Sequence, residues 1–264
     1  LAGIIFAHEV VLRHYNLRFF APVSLASATA YVFSGEVLNQ HISILPIFET
    51  RMAGPLDILW LMALGVIAGL VAVGVMRFVA RLRLRLVGAA LPVWLQPALA
   101  GLGVGVLAHF APAILGPGLD TISAMMQGEI APSALLILLV VKIIAAGLCL
   151  TLFFHGGIVA PALFIGAALG GVMAGFLTLL APLTGYAPDT ALFVLAGMSA
   201  MASSMLGAPL AVILLCFELS QNYAATTAIV VTIVIANLLS SRLSTRSVFE
   251  PQLLAKGVDL SLGR

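Results

Sequence analysis

Long apolar runs at about residues 19–38, 56–80, 93–111, 132–154 and 225–240 dominate this chain and decide its solvent. Charged residues make up only 8% of its 264 positions, against roughly 25% in a soluble domain, too few to clothe a water-facing surface of this size. The chain therefore reads as an integral membrane protein. At about 1.5 Å per helical residue and about 30 Å of hydrocarbon, its length and loops leave room for roughly seven to ten crossings. No stretch shows the ten-residue polar/apolar alternation of a transmembrane barrel, so helices must satisfy the backbone. The formal net charge of +2 is too small for a nucleic-acid footprint. Cys149 and Cys216 sit inside apolar runs and read as small buried hydrophobes rather than a disulfide or metal pair.

Residues 157–219 are the unusual part. Their apolar runs are short and punctuated by Gly156-Gly157, Gly170-Gly171, Pro182, Pro188 and Gly207-Ala208-Pro209, which predicts helices that stop within the bilayer and line something polar. Basic residues cluster at Arg13/Arg18, at Arg77/Arg81/Arg83/Arg85 and at Arg242/Arg246. Even numbers of predicted segments separate the clusters, with 190–204 and 207–219 taken as separate short helices. All three then lie on one face, cytoplasmic by the positive-inside rule. The opposite loops hold Glu36, Glu49, Asp57, Asp120, Glu129 and Asp189, with Arg51 as the one basic exception.

An internal repeat is also visible. Leu1 to Val10 (LAGIIFAHEV) matches Leu210 to Leu219 (LAVILLCFEL) at four of ten positions, with a constant offset of 209 and a Glu ending each apolar run. Such a repeat implies two related membrane modules. The second copy follows about 50 residues of glycine-rich breaks and the first follows none, so the chain is expected to begin inside a longer protein.

The stretch that carries chemistry is His155-Gly156-Gly157-Ile158-Val159-Ala160-Pro161. Two glycines permit an abrupt turn, and Pro161 suits the first turn of a helix, where a missing N–H costs nothing. The N–H groups of Ile158, Val159 and Ala160, aided by the helix dipole, would then form an anion site without formal charge. Magnitude favours such a site for conduction. A unit positive charge about 4 Å away attracts an anion by about 4 kcal/mol at an effective dielectric of 20, whereas a helix end contributes about 0.3–2 kcal/mol. Weak binding lets the ion leave. On its own, the same motif also reads as a loop between two spans.

Taken together, Gly157-Ile158-Val159-Ala160-Pro161, Leu163-Phe164-Ile165-Gly166-Ala167, Ala196-Gly197-Met198, Gly207-Ala208-Pro209-Leu210 and Glu218 followed by Gln221-Asn222-Tyr223 resemble the second half of the CLC chloride channel and transporter family. The resemblance covers essentially the whole chain. It implies an all-α, polytopic fold of broken, re-entrant helices, the second portion of an inverted-repeat architecture, within a homodimer whose subunits each carry an anion pathway. It implies one membrane domain over 1–264, with 1–155 holding the end of the first repeat and the start of the second. Residues 156–264 would then hold the anion-site helices, dimer-interface helices and a terminal helix. By the same resemblance, Gly157, Ile158, Val159, Ala160, Pro161 and Phe249 would form the anion site, with the amides of Ile158 and Val159 holding the ion.

Several positions depart from the family pattern. Val159 stands where it usually has Phe. Phe249 replaces a tyrosine whose hydroxyl touches the ion, and Leu152-Phe153-Phe154-His155 replaces a run rich in Gly and Ser. The internal proton glutamate of the exchangers falls at Val10, which cannot carry a proton. Glu9 beside it is a proton-path candidate, although capping a helix end is its expected role. The resemblance also implies dimer contacts through segments like 1–12, 19–33, 209–219 and 225–240.

Other candidates carry less. Lys142, in the middle of 132–154, either raises the anion potential of a pathway or snorkels and pairs inside the bundle. His8-Glu9 lacks the second histidine of a metalloprotease helix, since position 12 is Leu12. Ser199, in Gly197-Met198-Ser199-Ala200-Met201, lacks the second glycine of a nucleophile elbow. His41, His109 and His155 lack metal-ligand spacing. Ser247 to Arg264 reads as a terminal helix with a capping pattern. The expectation is passage of chloride or similar small anions across a membrane, the bacterial inner membrane, with no cofactor, no metal and no nucleic-acid partner. Proton-coupled exchange, a non-conducting fragment and an intramembrane enzyme stand as alternatives.

Overall fold

The computed structural model describes residues 2–12, 17–37, 54–88, 92, 94–152, 157–220 and 222–243. Among them every regular element is helical. The order is α1 (Ala2–Phe6) widening into a π turn (Ala7–Leu12), α2 (Leu17–Val32) with a second π turn (Phe33–Val37), and α3 (Pro55–Gly88). Next come α4 (Leu95–Phe110), a 3-10 turn (Pro112–Ile114), α5 (Leu119–Met126) and α6 (Pro132–Leu152). The last four are α7 (Val159–Thr184), α8 (Thr190–Leu206), α9 (Pro209–Ser220) and α10 (Tyr223–Leu243). Four of these helices, α3, α6, α7 and α10, are long and apolar enough to cross a membrane, while α4, α8 and α9 are shorter apolar helices. Mixed lengths of this kind fit the predicted broken architecture.

The core is built around α8. Every residue from Ala191 to Leu206 is buried, as expected of a helix apolar on all sides. It packs along α7, α10 and α3, and its approach to α7 is governed by missing side chains. A Cβ at Gly166 would strike the carbonyl of Gly197, with the Met198 Cα at 2.7 Å; one at Gly170 would strike the carbonyl of Phe193, with the Val194 Cα at 2.8 Å. α3 repeats the device against α10. A Cβ at Gly65 would lie 2.8 Å from the Thr232 carbonyl, and one at Gly69 would lie 2.9 Å from that of Ala236. Both pairs are small-xxx-small spacings, which let backbones meet where lipid provides no hydrophobic drive.

This packing corrects one sequence expectation. Gly170-Gly171 and Pro182 do not interrupt α7, which runs unbroken for 26 residues. Two interior glycines cost roughly 1 kcal/mol each in helix propensity, but here Gly170 lets α8 seat directly on the α7 backbone and Gly171 makes room for the Leu135 side chain of α6. Pro182 lies in the last turn and forfeits a single backbone bond before Gly185, at φ +66°, ends the helix. The other expected breaks hold. Gly157 precedes α7, Asp189 caps α8 by accepting from the Leu192 N–H at 3.2 Å, and Gly207, at φ +69°, ends α8 ahead of Pro209.

The repeated segments meet in space. α1 packs on α9, and the carboxylate of Glu9 accepts from the N–H groups of Leu210 (3.1 Å) and Ala211 (2.8 Å) at the start of α9. In return, Glu218 Oε1 accepts from the N–H of Ala2 at 3.1 Å. Offset by 209, Glu9 corresponds to Glu218 and Ala2 to Ala211, so each copy's acid closes the other copy's helix start. Glu9 therefore caps a helix, though not its own. Glu9→Ala removes two charge-assisted bonds and an acid at a helix N-terminus, with an expected stability cost of about 1–2 kcal/mol. Thermal unfolding in detergent would show a lowered midpoint, with Glu9→Gln intermediate. An unchanged midpoint for Glu9→Ala would remove the capping role.

Candidate anion site at the start of α7

Gly157 is exposed and Ile158 is buried, 3% accessible, in right-handed helical conformation (φ −91°, ψ −22°), where it serves as N-cap without any side-chain capping bond. The first bond of the helix runs from the Ala162 N–H to the Ile158 carbonyl at 3.1 Å. The amides of Ile158, Val159 and Ala160 thus precede the helical ladder, and among the described residues none accepts from them. Pro161 contributes no N–H. Val159 is 39% accessible and Ala160 half-buried. Among the described residues no carboxylate or hydroxyl answers these donors, and the start of α7 presents the positive end of a helix dipole. Phe249, His155 and Gly156 lie outside the described residues, as does the terminal segment 247–264.

Lys142 holds the neighbouring wall. It is 4% accessible; its Nζ donates to the carbonyls of Ile114 (2.6 Å) and Gly116 (3.0 Å) and stands 4.5 Å from the centre of the Phe164 ring. Phe164 lies five residues into α7, fully buried, and its ring also faces Gly118, where φ of +73° and the touching ring both demand glycine. Of the two readings of Lys142, the contacts support pairing inside the bundle. No local sequence pattern signals these carbonyl partners, which depend on the fold of the 112–118 turn.

Further polar groups lie elsewhere. Asp57 and Tyr186 form a buried hydrogen bond joining the first turn of α3 to the loop between α7 and α8, and Asp57 Oδ2 also accepts from the Gly54 N–H at 3.1 Å. Burial, then the Asp57 bond, raises the Tyr186 hydroxyl well above its ordinary value, so it stays protonated as the donor. Ser203 accepts from the Asn237 amide at 3.0 Å, tying α8 to α10. Ser199 is buried beside Cys216 rather than facing any cleft. Among the described residues no group of three or more His, Cys, Asp or Glu side chains could hold a metal ion, and both cysteines are free.

In sequence and fold the chain is similar to known proteins. The family described as voltage gated chloride channel matches residues 1–241. The chain is 30% identical over 263 residues to an H(+)/Cl(−) exchange transporter ClcA of Salmonella paratyphi A, covering 94% of this chain and 53% of that protein. It is 31% identical over 242 residues to the chloride channel protein CLC-f of Arabidopsis thaliana, covering 84% of this chain and 31% of that one. The fold is similar to that of a slow cyanobacterial Cl−/H+ antiporter, with a TM-score of 0.83 at 20% identity over 98% of this chain and 61% of the other. It is also similar to that of a CLC-type fluoride/proton antiporter, with a TM-score of 0.71 at 22% identity over 94% and 60%. The chain spans about half the length of the ClcA relatives it matches.

Proposed function

Because the chain belongs to the voltage gated chloride channel family, a family of membrane transport proteins rather than enzymes, we propose that it supplies the anion-coordinating half of a chloride pathway. The observation that carries this reading is the uncapped start of α7 at Gly157, Ile158, Val159, Ala160 and Pro161. Backbone amides there replace part of the hydration shell of a small anion, and donors without formal charge hold it weakly enough for exit. By the family resemblance Phe249 belongs to the same site, with no hydroxyl to offer the ion. The division into 1–155 and 156–264, a homodimer through the outer faces of α1, α2, α9 and α10, and residence in a bacterial inner membrane belong to the same proposal. Leu25, Tyr31 and Val32 of α2 and Phe33 of the π turn after it, each more than half accessible, give this segment an apolar surface suited to such a contact.

Proton-coupled exchange is the second reading. Relatives described as H(+)/Cl(−) exchangers favour it, whereas Val10 and the capping geometry of Glu9 favour passive flow. Simultaneous recording of chloride and proton fluxes, with the full-length protein in liposomes, separates the two. Chloride flux without proton movement is the expected result. Chloride-driven proton uptake establishes exchange, and no anion flux at all removes both readings.

A further inference from the structure

At one end α3 outruns the membrane. Its 34 residues measure about 51 Å against about 30 Å of hydrocarbon. The closing stretch 77–88 carries Arg77, Arg81, Arg83 and Arg85 and no acidic residue. Arg77, Arg81 and Arg85 recur at four-residue spacing and so share one helix face. α10 ends beside them: Arg77 Nη2 donates to the Leu243 carbonyl at 2.7 Å, and Arg242 lies in the last turn of α10. The acid nearest in sequence on α3 is Asp57, at the opposite end of the helix, and α10 has none. Arg81, Arg85 and Arg242 are exposed.

Leucines alternate with these arginines. Leu84 is 78% accessible, and Leu243, whose carbonyl Arg77 reaches, is 43% accessible. A guanidinium fork matches a phosphate in two parallel bonds, and a bare leucine beside it suits an acyl chain. A small dissolved anion would use only the first of these features. A phospholipid uses both.

We propose that the arginine-bearing ends of α3 and α10 bind the headgroup of an anionic phospholipid in the leaflet they face, cytoplasmic by the positive-inside rule. This rests on membrane embedding and not on transport. An orientation signal alone acts during insertion, whereas headgroup binding persists in the folded, purified protein.

The test is native mass spectrometry of the full-length protein in mixed phosphatidylglycerol and phosphatidylcholine. Wild type is expected to retain phosphatidylglycerol preferentially, and R81Q/R85Q/R242Q to lose at least about tenfold of that preference. R81K/R85K/R242K, which keeps the charge but not the fork, is expected to fall between. Equal retention of the two lipids by wild type overturns the proposal, as does full preference in the glutamine variant. Should that variant fail to stay monodisperse, wild type is titrated with salt from low to high ionic strength. A preference that falls with screening supports the site, and one that does not overturns it. A protein that carries no chloride yet shows the preference would refute the transport reading alone.

Discussion

Valine at Gly170 is expected to prevent the chain from reaching its folded state in yield. The new Cβ would enter the carbonyl of Phe193, and its methyls would meet the Val194 backbone. Backbone atoms cannot rotate aside as a side-chain end does, so α7 and α8 must separate along a seam where α8 is buried throughout. Overpacking of a close-packed core costs about 1–3 kcal/mol even when side chains can yield. Against a backbone, about 3 kcal/mol or more is expected, a large part of a total stability of about 5–15 kcal/mol. Size-exclusion profiles and thermal melts in detergent read this out. Gly101→Ala in α4, where a Cβ meets nothing within 4 Å, is the matched control and is expected to be neutral or mildly stabilising. Equal melting of Gly170→Val and wild type would mean that the α7–α8 seam is not as drawn.

Glutamate at Val159 should block anion flux while leaving the fold intact. Val159 is the first residue of α7 and is 39% accessible, so a longer side chain has room. An acid in the first turn is favourable by about 0.3–1 kcal/mol, and the unfolding midpoint should hold or rise. The tethered carboxylate meets the same amides at an effective concentration of order mM or above, and competes with a weakly held ion. Chloride flux in liposomes is expected to fall by about tenfold or more, with Val159→Gln, of equal length and no charge, keeping most of it. Equal flux from the two variants would dismiss the start of α7 as the place where the anion binds.

Sequence reading captured what hydropathy and helix punctuation encode locally. The runs at 56–80, 132–154 and 225–240 became α3, α6 and α10 with ends shifted by a few residues at most sites, and Gly157 and Gly207-Ala208-Pro209 marked true helix boundaries. Glycine was the weak point, because the same residue serves as a breaker or as a seat for another backbone. Gly170-Gly171 reads as a break when only neighbours in sequence are considered; the atoms that decide the matter belong to Phe193 and Val194 at Gly170 and to Leu135 at Gly171. Likewise α5, a short helix entered through left-handed Gly118, has no long apolar signature. At the candidate site, the start of α7 just after Gly157 is legible from Gly and Pro placement. The Lys142 carbonyl partners, 26 and 28 residues away, and the Asp57–Tyr186 bond across 129 residues depend on tertiary arrangement.

The mutual closure of α1 and α9 also bears on how the chain is made. Glu9 finds its donors 201 and 202 residues downstream, so at about 5–20 residues per second the ribosome delivers them roughly 10–40 s later. Through that interval α1 lacks the α9 donors that Glu9 engages in the folded state. The insertion machinery must hold it aside, and a pause in translation before Pro209 would lengthen its exposure to misassembly or proteolysis.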